Sequence, residues 1–150
     1  MQIWVDADAC PTVIKEILYR AALRTQTTLI LVANCALTTP KSLFIKRIQV
    51  GGGFDVADAE IVKRMHAGDL VITADIPLAS FVVDKGGLAL NPRGTLYDRN
   101  NMQQCLAIRN RNETWRESGL LSTGPDKLSQ RDCEAFANQL DKWLRLTMNG

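Results

Sequence analysis

Asp6, Asp8, Asp58 and Asp75 are the side chains of this sequence best suited to chemistry. Asp6-Ala7-Asp8 closes a short β-prone run, Gln2 to Val5. Asp75 follows a second such run, Leu70 to Thr73, and Asp58 stands early in a predicted helix. In an open parallel sheet the ligand crevice lies beyond the C-terminal strand ends, so this pattern delivers several carboxylates to one mouth. Clustered carboxylates repel and raise one another's pKa unless they share a proton or a cation neutralises them. Oxygen-only donors select hard cations, so the expected cofactor is Mg2+ or Mn2+, with Asp6, Asp8, Asp58 and Asp75 as ligands. Each acid also has a plainer use: Asp8 can complement the dipole of the first helix, and Asp75 can cap the helix opening at Pro77.

Other residues fall in around that mouth. Asp55 shares a helical face with Asp58 and is a further candidate ligand, although helix capping also suits it. Glu60 points to another side of the helix. Thr73 and Asn34 lie near predicted strand ends and are candidates to orient ligands. Lys85 and Arg93 are candidates to bind substrate. Arg93, together with Arg99, flanks the Asn91-Pro92-Arg93-Gly94 turn and has the fork geometry for phosphate oxygens. His66 is the only histidine and has no Ser or Cys relay nearby, which argues against a His-based triad. Cys10, Cys35, Cys105 and Cys133 form no C-x-x-C pair, so neither a zinc site nor a redox pair is indicated.

The elements that must position these side chains alternate between strand and helix. Pro11 suits a first helical position, and Val13, Ile14, Ile17, Leu18, Ala21 and Ala22 then recur at helical spacing. Thr27 to Ala33 is a continuous apolar and β-branched run, as in a strand buried on both faces of a parallel sheet. A short strand is predicted within Phe44 to Val50, followed by the loop Gly51-Gly52-Gly53 and a helix from Asp55 to Ala67, ended by Gly68. Leu70 to Thr73 and Leu88 to Leu90 read as further strands, separated by a helix from Pro77 to Lys85. A helix is expected from about Asn101 to Glu117, then a Ser/Thr/Gly-rich connection over Ser118 to Pro125. Ser129 with Asp132 forms a capping box for a last helix reaching about Met148. The fold expected is α/β, with a mostly parallel central sheet and helices on both faces.

At 150 residues, 46% hydrophobic and 23% charged, the chain suits one compact domain over 1–150, with the helices from about 101 onward packed on it. The formal net charge of +2 is far from the excess of a nucleic-acid coat protein. Its distribution says more. Asp55 to Glu60 is acid-rich, whereas Lys41, Lys46, Arg47 and the stretch from Arg93 to Arg116 are basic, a combination suited to a polyanion such as RNA handled through metal. The opening residues do not resemble a signal peptide and no apolar run reaches spanning length, so a cytoplasmic location with no membrane partner is expected.

The string Ile3-Trp4-Val5-Asp6-Ala7-Asp8-Ala9-Cys10-Pro11 resembles the opening of the YaiI/YqxD family of uncharacterised bacterial proteins. Val32-Ala33-Asn34, Gly53-Phe54-Asp55-Val56-Ala57-Asp58 and the block from Gly68 to Ala79 resemble its further blocks in order. So do Lys85-Gly86, Asn91-Pro92-Arg93-Gly94 and Ser122-Thr123-Gly124-Pro125, and the likeness extends over nearly the whole chain. That family is grouped with PIN-like domains, many of them metal-dependent ribonucleases. The resemblance implies a three-layer PIN-like sandwich in which Asp6 takes the first acidic place, Asp58 the helical one and Asp75 the place after a hydrophobic-Thr-x-Asp motif. Asp8 is an extra acid of the family's own pattern.

Three functions compete on these residues. The first is a divalent-metal-dependent ribonuclease with Asp6, Asp58 and Asp75 as its catalytic acids. The alternative is a haloacid-dehalogenase-like phosphatase with Asp6 as nucleophile and Asp8 as acid/base, against which Cys10 stands where that motif expects Thr or Val. The third is a non-catalytic module that binds metal or RNA.

Overall fold

The structure, a computed structural model, describes residues 2–7, 10–34, 39–51, 56–98 and 129–149. The chain alternates β1 (Gln2–Asp6), α1 (Thr12–Thr25), β2 (Thr28–Ala33), β3 (Ile45–Gln49), α2 (Val56–Arg64), β4 (Leu70–Ile72), α3 (Ile76–Asp84) and β5 (Leu88–Leu90). A short β6 (Leu96–Tyr97) and a long α4 (Gln130–Asn149) complete the described elements. The strands form one sheet in the order β3-β2-β1-β4-β5-β6. All neighbours are parallel except β6, which runs antiparallel to β5.

Strand alternation divides the apolar side chains into two cores and so builds three layers. Ile3, Val5, Leu29 and Leu31 face one side, where Ile14 and Leu18 of α1 and Phe136 and Leu140 of α4 cover them. Trp4, Ile30, Val32 and Val71 face the other, under Ile61 of α2 and Leu78 and Val82 of α3. Because helices cover both faces, the central strands are apolar throughout: Leu29, Ile30, Leu31, Val32 and Ala33 are all buried. The α/β sandwich expected from the sequence is therefore the fold observed.

Local rules account for the helix ends. The α1 chain leaves through Gln26 in the left-handed conformation (φ 55), its amide donating to the Ala22 carbonyl. At the start of α4 the Ser129 amide donates to Asp132 Oδ2 and the Asp132 amide to Ser129 Oγ, each at 3.1 Å, the reciprocal capping box expected there. α2 stops at Arg64, short of the expected Ala67, because the His66 amide donates to Asp69 Oδ2 at 2.9 Å. Gly68, with φ 91, then turns the chain into β4. The two-residue β6 has no counterpart in the sequence reading. The expected helix over 101–117 and the connection over 118–125 lie outside the described residues. Among the described residues no helix is long and apolar enough to cross a membrane.

Candidate active site at the C-terminal strand edge

From β1 the chain builds outward to β2 and β3 on one side and later to β4, β5 and β6 on the other. The strand order therefore reverses between β1 and β4, where parallel sheets open a crevice beyond their C-terminal ends. Asp6 is the last residue of β1 and Thr73 the first after β4. Trp4 and Val71 face the α2–α3 layer, and by alternation so do Asp6 and Thr73. α2 connects the end of β3 to the start of β4, so its first turn, which carries Asp58, lies at this same edge. α3 starts there as well, with Asp75 as its N-cap. The topology thus brings Asp6, Asp58 and Asp75 to one edge and one face of the sheet.

Asp75 is held by its surroundings. The buried Thr73 accepts the Asp75 amide on Oγ1 at 3.0 Å, while its own amide donates to the Leu90 carbonyl at 3.1 Å. Asp75 Oδ1 accepts the Leu78 amide at 2.9 Å, so the capping role foreseen for this acid engages one carboxylate oxygen. Thr73 accordingly acts as a positioning residue for Asp75. Asn34 follows β2 at the same edge and is exposed. Asp6 and Asp58 are half-buried. Asp8, Asp55 and Arg99 lie outside the described residues.

Among the described residues, no three His, Cys, Asp or Glu side chains form a group that could hold a metal ion. Mg2+ typically keeps several waters and takes one or two carboxylates together with substrate phosphate. Carboxylates at one strand edge, one of them fixed by Thr73, suit that open kind of site.

The two basic candidates separate. Arg93 belongs to the turn after β5, but its guanidinium donates to Asp132 Oδ2 at 2.9 Å, tying that turn to the start of α4. Lys85 does not belong with the acids. It follows the C-terminus of α3, and a nine-residue helix spans about 13 Å, so it lies at the opposite edge of the sheet. There its Nζ donates to the Val62 carbonyl in the last turn of α2. Although Lys85 lies only ten residues after Asp75 in the chain, the direction of α3 carries it away from that edge.

Burial pushes the Cys10 thiol up to about 12, against the lowering effect of Lys15 and with the Asp6 charge adding to the rise. A thiol that stays protonated is not a nucleophile, so Cys10 belongs to the core beside the site and not to its chemistry. One buried acid escaped the sequence reading. Asp69, only 3% exposed, accepts the Gln2 amide on Oδ1 at 3.0 Å and Trp4 Nε1 on Oδ2 at 3.0 Å, in addition to the His66 amide. It sits at the N-terminal edge of β1 and β4, where it serves as a structural clasp.

The model of the family described as "Uncharacterized BCR, YaiI/YqxD family" matches residues 4–146 of the chain. A UPF0178 protein of Shewanella amazonensis is 63% identical over 144 residues, covering 96% of this chain and 97% of its own length. A UPF0178 protein of Pectobacterium carotovorum is 60% identical over 144 residues, 96% of each chain. One of Yersinia enterocolitica is 58% identical over 148 residues, covering 99% and 97%. No solved structure matches the chain.

Proposed function

The chain belongs to the YaiI/YqxD family, and from that premise we propose that it is a divalent-metal-dependent ribonuclease of PIN-like type working at the C-terminal strand edge. The observation that supports this reading most is the meeting of Asp6 with Thr73-x-Asp75 at the switch point between β1 and β4. In this reading Asp6, Asp58 and Asp75, with Asp8 as a further ligand, hold Mg2+ or Mn2+. When bound, such an ion supplies a water activated at neutral pH and offsets charge on the scissile phosphate. The protein's own part is positional. Thr73 fixes the backbone of Asp75, the α3 cap holds its Oδ1, and Asp58 stands in the first turn of α2 at the same edge.

The test is incubation of nuclease-free protein with end-labelled single-stranded RNA in Mn2+, in parallel with Asp75→Asn and with EDTA, the products being resolved on a gel. Cleavage by the wild type alone supports the reading; equal products from wild type and variant, or no products at all, overturn it. The sequence Asp6-x-Asp8, its first acid ending β1, also suits a phosphatase with Asp6 as nucleophile. Asp6→Asn separates the two: a covalent role predicts total loss at every metal concentration, whereas a ligand role predicts partial rescue at high Mn2+.

A further inference from the structure

Opposite the acidic edge, a cleft of about 560 Å³ opens between the C-terminal end of α2 and the starts of β1, β2 and β3. Its walls carry Lys46 from β3 and Lys63, Arg64 and His66 from the end of α2; no acid among the described residues lines it, and the buried Asp69 carboxylate is taken up by the Gln2, Trp4 and His66 N–H groups. Ile48, partly exposed, provides apolar surface between them, over the buried Trp4 and Ile30. Lys46, Lys63 and His66 are exposed, and neither lysine has a carboxylate partner among the described residues. Arg64 pairs with Glu60.

A helix C-terminus ordinarily presents unsatisfied carbonyls and partial negative charge, which would repel an anion. Here the Lys85 ammonium takes the Val62 carbonyl, and Lys63 and Arg64 occupy the last turn, so the end of α2 is made electropositive. Cations on two walls with apolar surface and an exposed imidazole between them are the combination used for single-stranded nucleic acid: charges track the phosphates while bases stack on flat or apolar side chains. A small inorganic anion would use the cations but not the apolar surface.

We propose that this cleft anchors the phosphodiester backbone of single-stranded RNA, with Lys46 and Lys63 as its principal phosphate contacts. The inference deepens the ribonuclease reading by naming where the substrate strand is held away from the acidic edge. β1 has five residues, so the two edges are about 16 Å apart along the strand direction, or about five nucleotides at stacked spacing.

Fluorescence anisotropy of a labelled oligouridylate in EDTA at several salt concentrations tests the anchor without metal or cleavage. The wild type is expected to bind with a salt dependence. Lys46→Ala/Lys63→Ala is expected to lower the slope of log K against log salt by about 1.4, two single-strand phosphate contacts, and to weaken binding several-fold at low salt. Asp75→Asn, which removes cleavage in the ribonuclease reading, is expected to bind as the wild type does, so loss of catalysis and loss of anchoring stay distinct. An unchanged thermal melt of the double variant excludes misfolding as the cause. Absence of binding by the wild type, an unchanged slope in the double variant, or binding of inorganic polyphosphate but not oligouridylate overturns the proposal.

Discussion

Replacing Asp69 by Asn should destabilise the protein far more than its place in an ordinary-looking turn suggests. The carboxylate accepts three N–H groups, from Gln2, Trp4 and His66, at 2.9–3.0 Å. An Asn can turn its oxygen toward Trp4 Nε1 and the His66 amide, but its NH2 then faces the Gln2 amide, donor against donor. One hydrogen bond is lost, costing about 1–3 kcal/mol, and two fall from charge-assisted to neutral at about 1 kcal/mol each, for a total of about 3–5 kcal/mol. For a chain of this size that is a fall in melting temperature of roughly 6–20 °C. Urea unfolding followed by circular dichroism gives the loss directly. Trp4→Phe in the same assay completes a double-mutant cycle, because it removes the indole donor that the Asp69 carboxylate accepts. The coupling between Asp69 and Trp4 should be about 1 kcal/mol. A loss below about 0.5 kcal/mol for Asp69→Asn, or strict additivity of the two substitutions, would refute the clasp.

Gly94, with φ 95, lies so close to α4 that an added Cβ would stand 2.6 Å from Ala135 Cβ and 2.8 Å from the Phe136 nitrogen. Gly94→Ala should therefore cost about 3 kcal/mol in urea unfolding, and a neutral result would mean that this turn does not rest on α4. Cys10, its thiol pushed up to about 12, should resist iodoacetamide at about pH 8 in the folded protein and react once unfolded. Equal rates in the two states would contradict its burial. Over the interval from its ordinary 9.0 to about 12 the unfolded chain loses this proton first, so Cys10 makes stability fall as pH rises there. The Ser129 amide, with lesser help from the Ser129 hydroxyl and Arg93, holds the Asp132 carboxyl below its usual 3.8. Its contribution should be present above that value and lost as pH falls through the lower folded one. Asp132→Asn and wild type, distinct in urea midpoint at neutral pH, should thus converge as pH falls below that lowered folded value.

What could be read from the sequence was local. The apolar stripe of α1, the Ser129–Asp132 box and the Asp75 cap each depend on residues a few positions apart, and all three are present. The buried runs of β1, β2 and β4 were equally legible, because a strand covered on both faces needs apolar side chains at every position. Asp69 was not legible. Beside Gly68 it looks like a turn residue, and its burial is caused by Gln2 and Trp4, 67 and 65 positions away. Neither the pairing of β1 with β4 nor the presence of β6 leaves a local trace. Of the candidate site, the edge occupied by Asp6, Asp58 and Asp75 was legible from strand and helix order. The displacement of Lys85 to the far edge follows from the direction of α3, and Asp8 and Asp55 lie outside the described residues.

The central place of β1 also sets a timetable for the nascent chain. β1 is made first, yet one of its two neighbours, β4, pairs Ile3 with Leu70 and Val5 with Ile72. At usual rates of synthesis a ribosome needs roughly 3–13 s to add the intervening residues. Throughout that interval one edge of an apolar strand has no mate, and Asp6 has no Asp75 beside it. A chain released before β4 would carry an open strand edge of the kind that invites aggregation.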